Sequence, residues 1–114
     1  MDTMLRSHDA TPVEIWPGVT RKTLAKSERM LLVEITLARG AKVPPHSHPN
    51  DQVGYLAKGR FRMRIGGREY DLGVGDAYAI PANVEHEVEV FEDSLAIDIF
   101  SPPREDYARD VGDQ

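Results

Sequence analysis

The closeness of its turn signals is what most restricts how this chain can fold. Gly40, Pro44-Pro45, Gly59, Gly73, Gly75-Asp76, Pro81 and Glu92-Asp93 interrupt it so often that no run between them is longer than 13 residues. Such stretches are too short for an average helix with its loops, but they suit strands. The pattern inside them agrees. Over residues 30–38, Leu31, Val33, Ile35 and Leu37 share one face while Glu34 and Thr36 share the other, the two-residue repeat of a strand. Phe61, Met63 and Ile65 alternate with Arg60, Arg62 and Arg64. Gly66-Gly67 can then supply the positive φ of a tight hairpin into residues 69–72. Val88 and Val90 alternate with Glu87 and Glu89, and Leu95, Ile97 and Ile99 with Ala96, Asp98 and Phe100. The one helical stretch expected is a short turn near residues 104–109, opened by Pro102-Pro103. The expectation is an all-β fold.

At 114 residues the chain fits one domain. It divides into a flexible segment 1–12, a β-barrel domain 13–107 and a tail 108–114. A net charge of −5 argues against nucleic acid, whose phosphates require a basic face. The alternating arginines 60, 62 and 64 read as the solvated face of a strand. Without cysteine, neither a disulfide framework nor a thiolate metal site can form. No run is long and apolar enough for a membrane span, and residues 1–10 lack the apolar core of a signal peptide. A cytoplasmic protein without membrane partners is expected. Met30 and Leu32 lie opposite the apolar face of their run, which leaves that sheet apolar on both sides. Such a surface is expected to meet a partner, most simply in an isologous homodimer.

His46 and His48, two residues apart, project from the same face of an extended chain, and Gln52 is in phase with them if the chain stays extended. His86 shares its face with Val88 and Val90, so it points into the core. An inward imidazole among apolar neighbours needs a partner, and one divalent metal satisfies several at once. Histidines in a proline-rich loop are often only exposed polar residues. The frame around these weighs against that: five residues separate Gly40 from His46, three separate His48 from Gln52, and six more precede Gly59. Five residues then separate Gly75 from Pro81, and His86 lies five beyond it.

Residues 40–59 and 75–86 resemble the paired motifs of the cupins, and seven fixed positions agree in spacing. The resemblance implies a double-stranded β-helix, or jelly-roll barrel, over about residues 13–101. It also implies that His46, His48, Gln52 and His86 hold one divalent transition ion of the nickel, zinc, iron or manganese kind. There are two departures. Asn83 stands where the second motif has Gly, a change that a left-handed backbone tolerates. Gln52 stands where the first motif has Glu, which leaves a bound ion less neutralised and a stronger Lewis acid.

Cupins serve many functions, so the fold does not decide. Asp98 lies in the middle of an apolar strand, where an unpartnered carboxylate is costly. Pointing inward, it could serve as a general base near the metal. Alternation leaves both phases open, because Leu95, Ile97 and Ile99 could equally be the core set. Gln52 and the stretch from Ala96 to Tyr107 resemble a subgroup of small cupins of pectin and alginate breakdown, which convert 4,5-unsaturated monouronates from the cyclic to the linear keto form. The resemblance implies catalytic roles for Asp98 and Arg104 and substrate contacts from Phe100 and Arg104, with the small-molecule uronate as partner. Two other readings remain: a different metal-dependent cupin enzyme, such as a dioxygenase or another isomerase, and a non-catalytic cupin that binds a small molecule.

Overall fold

The structure, a computed structural model, describes residues 4–108. The alternating runs form strands β1 (Val13–Trp16), β2 (Val19–Lys26), β3 (Leu31–Leu37), β4 (Lys42–His46), β5 (Asp51–Ile65), β6 (Arg68–Leu72), β7 (Ala77–Ile80) and β8 (His86–Ser101), followed by a single helical turn, α1 (Glu105–Ala108). All the pairings are antiparallel. Leu31, Val33, Ile35 and Leu37 of β3 are buried as their period requires. Ile65 pairs with Arg68 across Gly66-Gly67, both at positive φ, so the expected two-residue hairpin is present.

The architecture is organised by β5 and β8, which pair from Asp51–Ser101 to Ile65–His86. The first half of β5 and the second half of β8 continue on one side through β3, β2 and β1, and on the other to β7. The second half of β5 and the first half of β8 are flanked by β6 and β4. One buried cluster joins the two half-sheets, with Val19, Leu31 and Val33 from the first and Phe61, Met63 and Val88 from the second. This is the expected all-β barrel.

Two local expectations are corrected. Gly59 and Glu92-Asp93 do not end strands: β5 and β8 run through them, and the register shifts between Leu56 and Phe61 mark the corner where both strands pass between half-sheets. The chain from His48 to Gln52 is not extended, since it bends at Pro49 and Asn50. Met30, just before β3, is exposed and Leu32 is half-buried, so apolar residues do lie on the side of this run away from the core. Ser7–Asp9 make a 3₁₀ turn and Ala10 is buried, while α1 is the helical turn expected near residues 104–109 and its Tyr107 and Ala108 join the core. Residues 1–3 and 109–114 lie outside the described residues. The alternating arginines are solvated, as expected, and pair with Glu92 (Arg60), Asp71 (Arg62), and Glu69 and Glu87 (Arg64). No helix among the described residues is long and apolar enough to cross a membrane.

Candidate metal centre

The two histidine-bearing segments meet because β4 pairs with the start of β8, with His46 directly opposite His86. The bend after His48 brings that ring in from the side. Asn83, at φ 66, donates its backbone N–H to the His48 carbonyl (2.8 Å), and Asp51 accepts from the Ala82 N–H (2.9 Å). The left-handed residue of the second motif therefore ties that loop to the first. Ring centroids lie 4.2 Å apart for His46 and His86, 5.0 Å for His48 and His86, and 5.9 Å for His46 and His48. The candidate ligand atoms all fall within 4.8 Å of one another. His8, the fourth histidine, is exposed beside Asp9, away from this cluster.

The hydrogen bonds around the rings suit an ion. Each Nδ1 faces a backbone carbonyl: Pro44 for His46 (2.9 Å), Asn50 for His48 (3.1 Å) and Val84 for His86 (2.9 Å). Carbonyls only accept, so each Nδ1 carries the proton and each Nε2 keeps its lone pair, the arrangement by which ligating imidazoles are usually oriented. Burial holds all three below the ordinary imidazole value, His86 down to about 4, so they are neutral at pH 7. The His48 Nε2 lies 3.0 Å from the Gln52 Oε1, while the Gln52 side chain also hydrogen-bonds Asp98. A carboxylate accepts only, so the amide nitrogen faces Asp98 and the amide oxygen faces His48. Two acceptors then confront each other across 3.0 Å, which a cation between them resolves. The donor set fits a divalent transition ion.

The cavity beside the cluster is lined by His46, Gln52, His86, Asp98, Phe100 and Arg104 among others. The open phase of the last strand is thus decided. Ala96, Asp98 and Phe100 are buried while Ile99 is exposed, so the carboxylate faces inward. Burial raises Asp98 to about 6, against hydrogen bonds from Tyr78 and Gln52 that pull it down. Phe100 is both core and wall, with its ring edge-on to His48 at 5.5 Å. Arg104 lies over Tyr107 at 4.0 Å and Phe100 at 5.4 Å, and it is ion-paired to Asp106 through Nε and Nη2 (3.2 and 2.9 Å). That pair uses two of the five guanidinium N–H donors and leaves three for a ligand.

Three residues that the sequence reading did not single out belong here. Trp16, the only tryptophan, lies 5.1 Å from His46 and lines the cavity. Tyr78 donates its hydroxyl to Asp98 Oδ1 at 2.5 Å. Gly54 lies between those two on the middle strand, and a Cβ there would come within 2.1 Å of Asp98 Oδ1 and 2.2 Å of the Tyr78 ring. A lone aromatic at a strand end was the only signal for the first, and no signal marked the other two.

An antiparallel barrel that turns three neutral imidazoles toward one point, beside a buried carboxylate, is a metal-site barrel of the cupin class. The profile of the cupin domain matches residues 33–98, more than half of the chain, and the protein belongs to the cupin family. Within the family it is similar to the pectin degradation protein KdgF of Dickeya dadantii (strain 3937), with 39% identity over 102 residues that cover 87% of this chain and 93% of the relative. The solved structure of KdgF from Halomonas sp. superposes with a TM-score of 0.86 at 34% identity, covering 93% of this chain and 98% of the other. An RmlC-like cupin from Shewanella frigidimarina NCIMB 400 gives a TM-score of 0.88 at 28% identity, covering 94% and 96%.

Proposed function

We propose that this cupin is an isomerase that opens the ring of a 4,5-unsaturated monouronate and yields the linear keto acid. The observation that carries the reading is the shared cavity: Asp98 and Arg104 line it together with His46, Gln52 and His86. The similarity to two KdgF proteins, one named for pectin degradation, supports the substrate class.

The reaction is redox-neutral. A proton leaves the C1 hydroxyl, the C1=O bond forms, and the bond from C1 to the ring oxygen breaks. The electrons released make an enolate at C5, and protonation at C4 gives the ketone. A divalent ion held by His46, His48, Gln52 and His86 would supply Lewis-acid polarisation of a sugar oxygen. Asp98 is the base that accepts the hydroxyl proton. Burial favours this role, because a carboxyl at about 6 is ionised at pH 7 yet basic enough to take a proton. The free N–H groups of Arg104 bind the substrate carboxylate, and Phe100 packs against the sugar ring. Asp106 holds the guanidinium while it does so.

The test is metal-loaded protein with an unsaturated monouronate, following loss of the C4=C5 ultraviolet absorbance and appearance of the keto acid by NMR. Turnover well above the spontaneous background is expected. Asp98→Asn should keep fold and metal and lose on the order of 10²–10⁴-fold in kcat, whereas Arg104→Ala should mainly raise KM. A fully metallated wild type no faster than the blank would sink the reading.

We also propose that it works as a homodimer. Val53 and Tyr55 on β5 and their partners Ile99 and Ile97 on β8 make an outer apolar strip, with Val53, Tyr55 and Ile99 38–49% exposed. Sedimentation at micromolar concentration should show a dimer, and a monomer throughout that range would contradict it.

A further inference from the structure

Gly54 pairs with Tyr78 of β7 on one side and with Asp98 of β8 on the other, so the three residues lie side by side across three strands. Unlike the turn glycines, Gly54 is not at positive φ, so its backbone conformation does not demand glycine. Room does. The Tyr78 ring occupies the space that a Cβ on Gly54 would fill, which lets a residue of β7 reach β8 over the intervening strand. The ring is packed edge-on against Phe61 at 6.2 Å, and its hydroxyl ends on Asp98 Oδ1. Burial pushes the phenol well above its ordinary value, so the hydroxyl stays a donor throughout the working range.

We propose that Tyr78 is a positioning residue that holds the Asp98 carboxylate, across Gly54, in the orientation from which it takes the substrate proton. The proposal rests on Asp98 being the base of the reaction above. A free aspartate has two rotatable bonds and, without partners, would sample several directions. Gln52 restrains it from the metal side and Tyr78 from the opposite strand. A catalytic group displaced by about 1 Å can lose on the order of 10²-fold in rate, so such a restraint bears directly on turnover.

The test is Tyr78→Phe, which keeps the ring over Gly54 and removes only the hydroxyl. With metal content and melting temperature at wild-type level, kcat should fall about tenfold, the loss of one hydrogen bond to a charged group, and KM should hardly change. Placed on Asp98→Asn, the same substitution should cost nothing further. A crystal structure of Tyr78→Phe should show the Asp98 carboxylate turned or split between rotamers. Gly54→Ala, which drives a methyl into both partners, should reproduce the kcat loss. Two results would overturn the proposal: an Asp98 carboxylate unmoved in the Tyr78→Phe crystal, or a kcat loss that persists in full on Asp98→Asn. If the wild type fails to open an unsaturated uronate, the proposed reaction falls by that result, and the crystal structure alone decides what Tyr78 holds.

Discussion

Gln52 has a two-sided position that a glutamate could not share. Its amide oxygen faces the His48 Nε2 and its side chain hydrogen-bonds the buried carboxylate of Asp98. A glutamate there would supply the more usual cupin ligand and bind an ion more tightly. It would also set two carboxylates against each other in a buried site, where like charges drive one of them to take a proton. Gln52→Glu is therefore expected to keep a full equivalent of metal and lose about 10²-fold or more in kcat, because the base is neutralised or turned away. Metal analysis beside turnover checks this, and a variant as fast as the wild type would contradict it. The histidine set was legible in the sequence because its spacing matches the paired cupin motifs, which a surface loop has no reason to do. For Gln52 the argument from an extended chain fails, since the chain bends at Pro49 and Asn50, and its place in the cupin motif is what marks it. Asp98 was undecidable because both faces of its strand carry apolar residues. Tyr78 and Gly54 were illegible, since their relation exists only in the register of three strands.

At the level of elements, the strand pattern was readable wherever one face is buried and the other wet. The corner was not. Gly59 and Glu92-Asp93 carry the composition of a turn, but the chain spends them on bending two long strands between half-sheets. In sequence the two uses look alike. Ser94 secures the corner: its hydroxyl donates to the Glu92 carbonyl (2.7 Å) and accepts from the Arg60 N–H (3.1 Å). Opposite it Gly59 sits at φ 93, where an added Cβ would lie 2.2 Å from Ser94 Oγ and 2.4 Å from the Asp93 carbonyl oxygen. Gly59→Ala combines a strained backbone with a collision against main chain, and it should cost at least about 2 kcal/mol. A lowered urea midpoint measures it. Ser94→Ala in addition should not restore the midpoint, because the carbonyl remains in the way and a buried hydroxyl bridge is lost. An unchanged midpoint for Gly59→Ala would mean that the corner relaxes freely.

For the whole molecule, the four candidate ligands join parts of the barrel that are remote in sequence. His46 and His86 pair at one end of the β4–β8 half-sheet, while Gln52 opens β5 in the other half. An ion on these residues binds the folded chain alone, so it should raise the melting temperature in proportion to its occupancy, and a chelator should reverse the rise. His46→Ala with His48→Ala should remain folded and lose the rise. The pH dependence of that binding follows from the direction of the imidazole shifts. The ion binds neutral imidazole, so protons compete with it only below each ring's own pKa. Between pH 7 and 5.5 a histidine at the ordinary value of about 6.5 would weaken binding about eightfold, and three would weaken it about 600-fold. His86, held near 4 by burial, stays neutral over that whole interval and contributes almost nothing. His46 and His48 are lowered too, so each contributes less than its eightfold share. Affinity should thus fall by less than about 70-fold. Trp16 offers the readout, as the single tryptophan with its ring 5.1 Å from His46, where nickel or cobalt will quench its fluorescence. Titrating chelator-stripped protein with nickel at the two pH values gives both affinities from one signal, and the double histidine variant should show no quenching. A fall of 600-fold or more would mean that the three rings titrate as if exposed to water, and the buried, neutral, preorganised site described above would not be the one that binds.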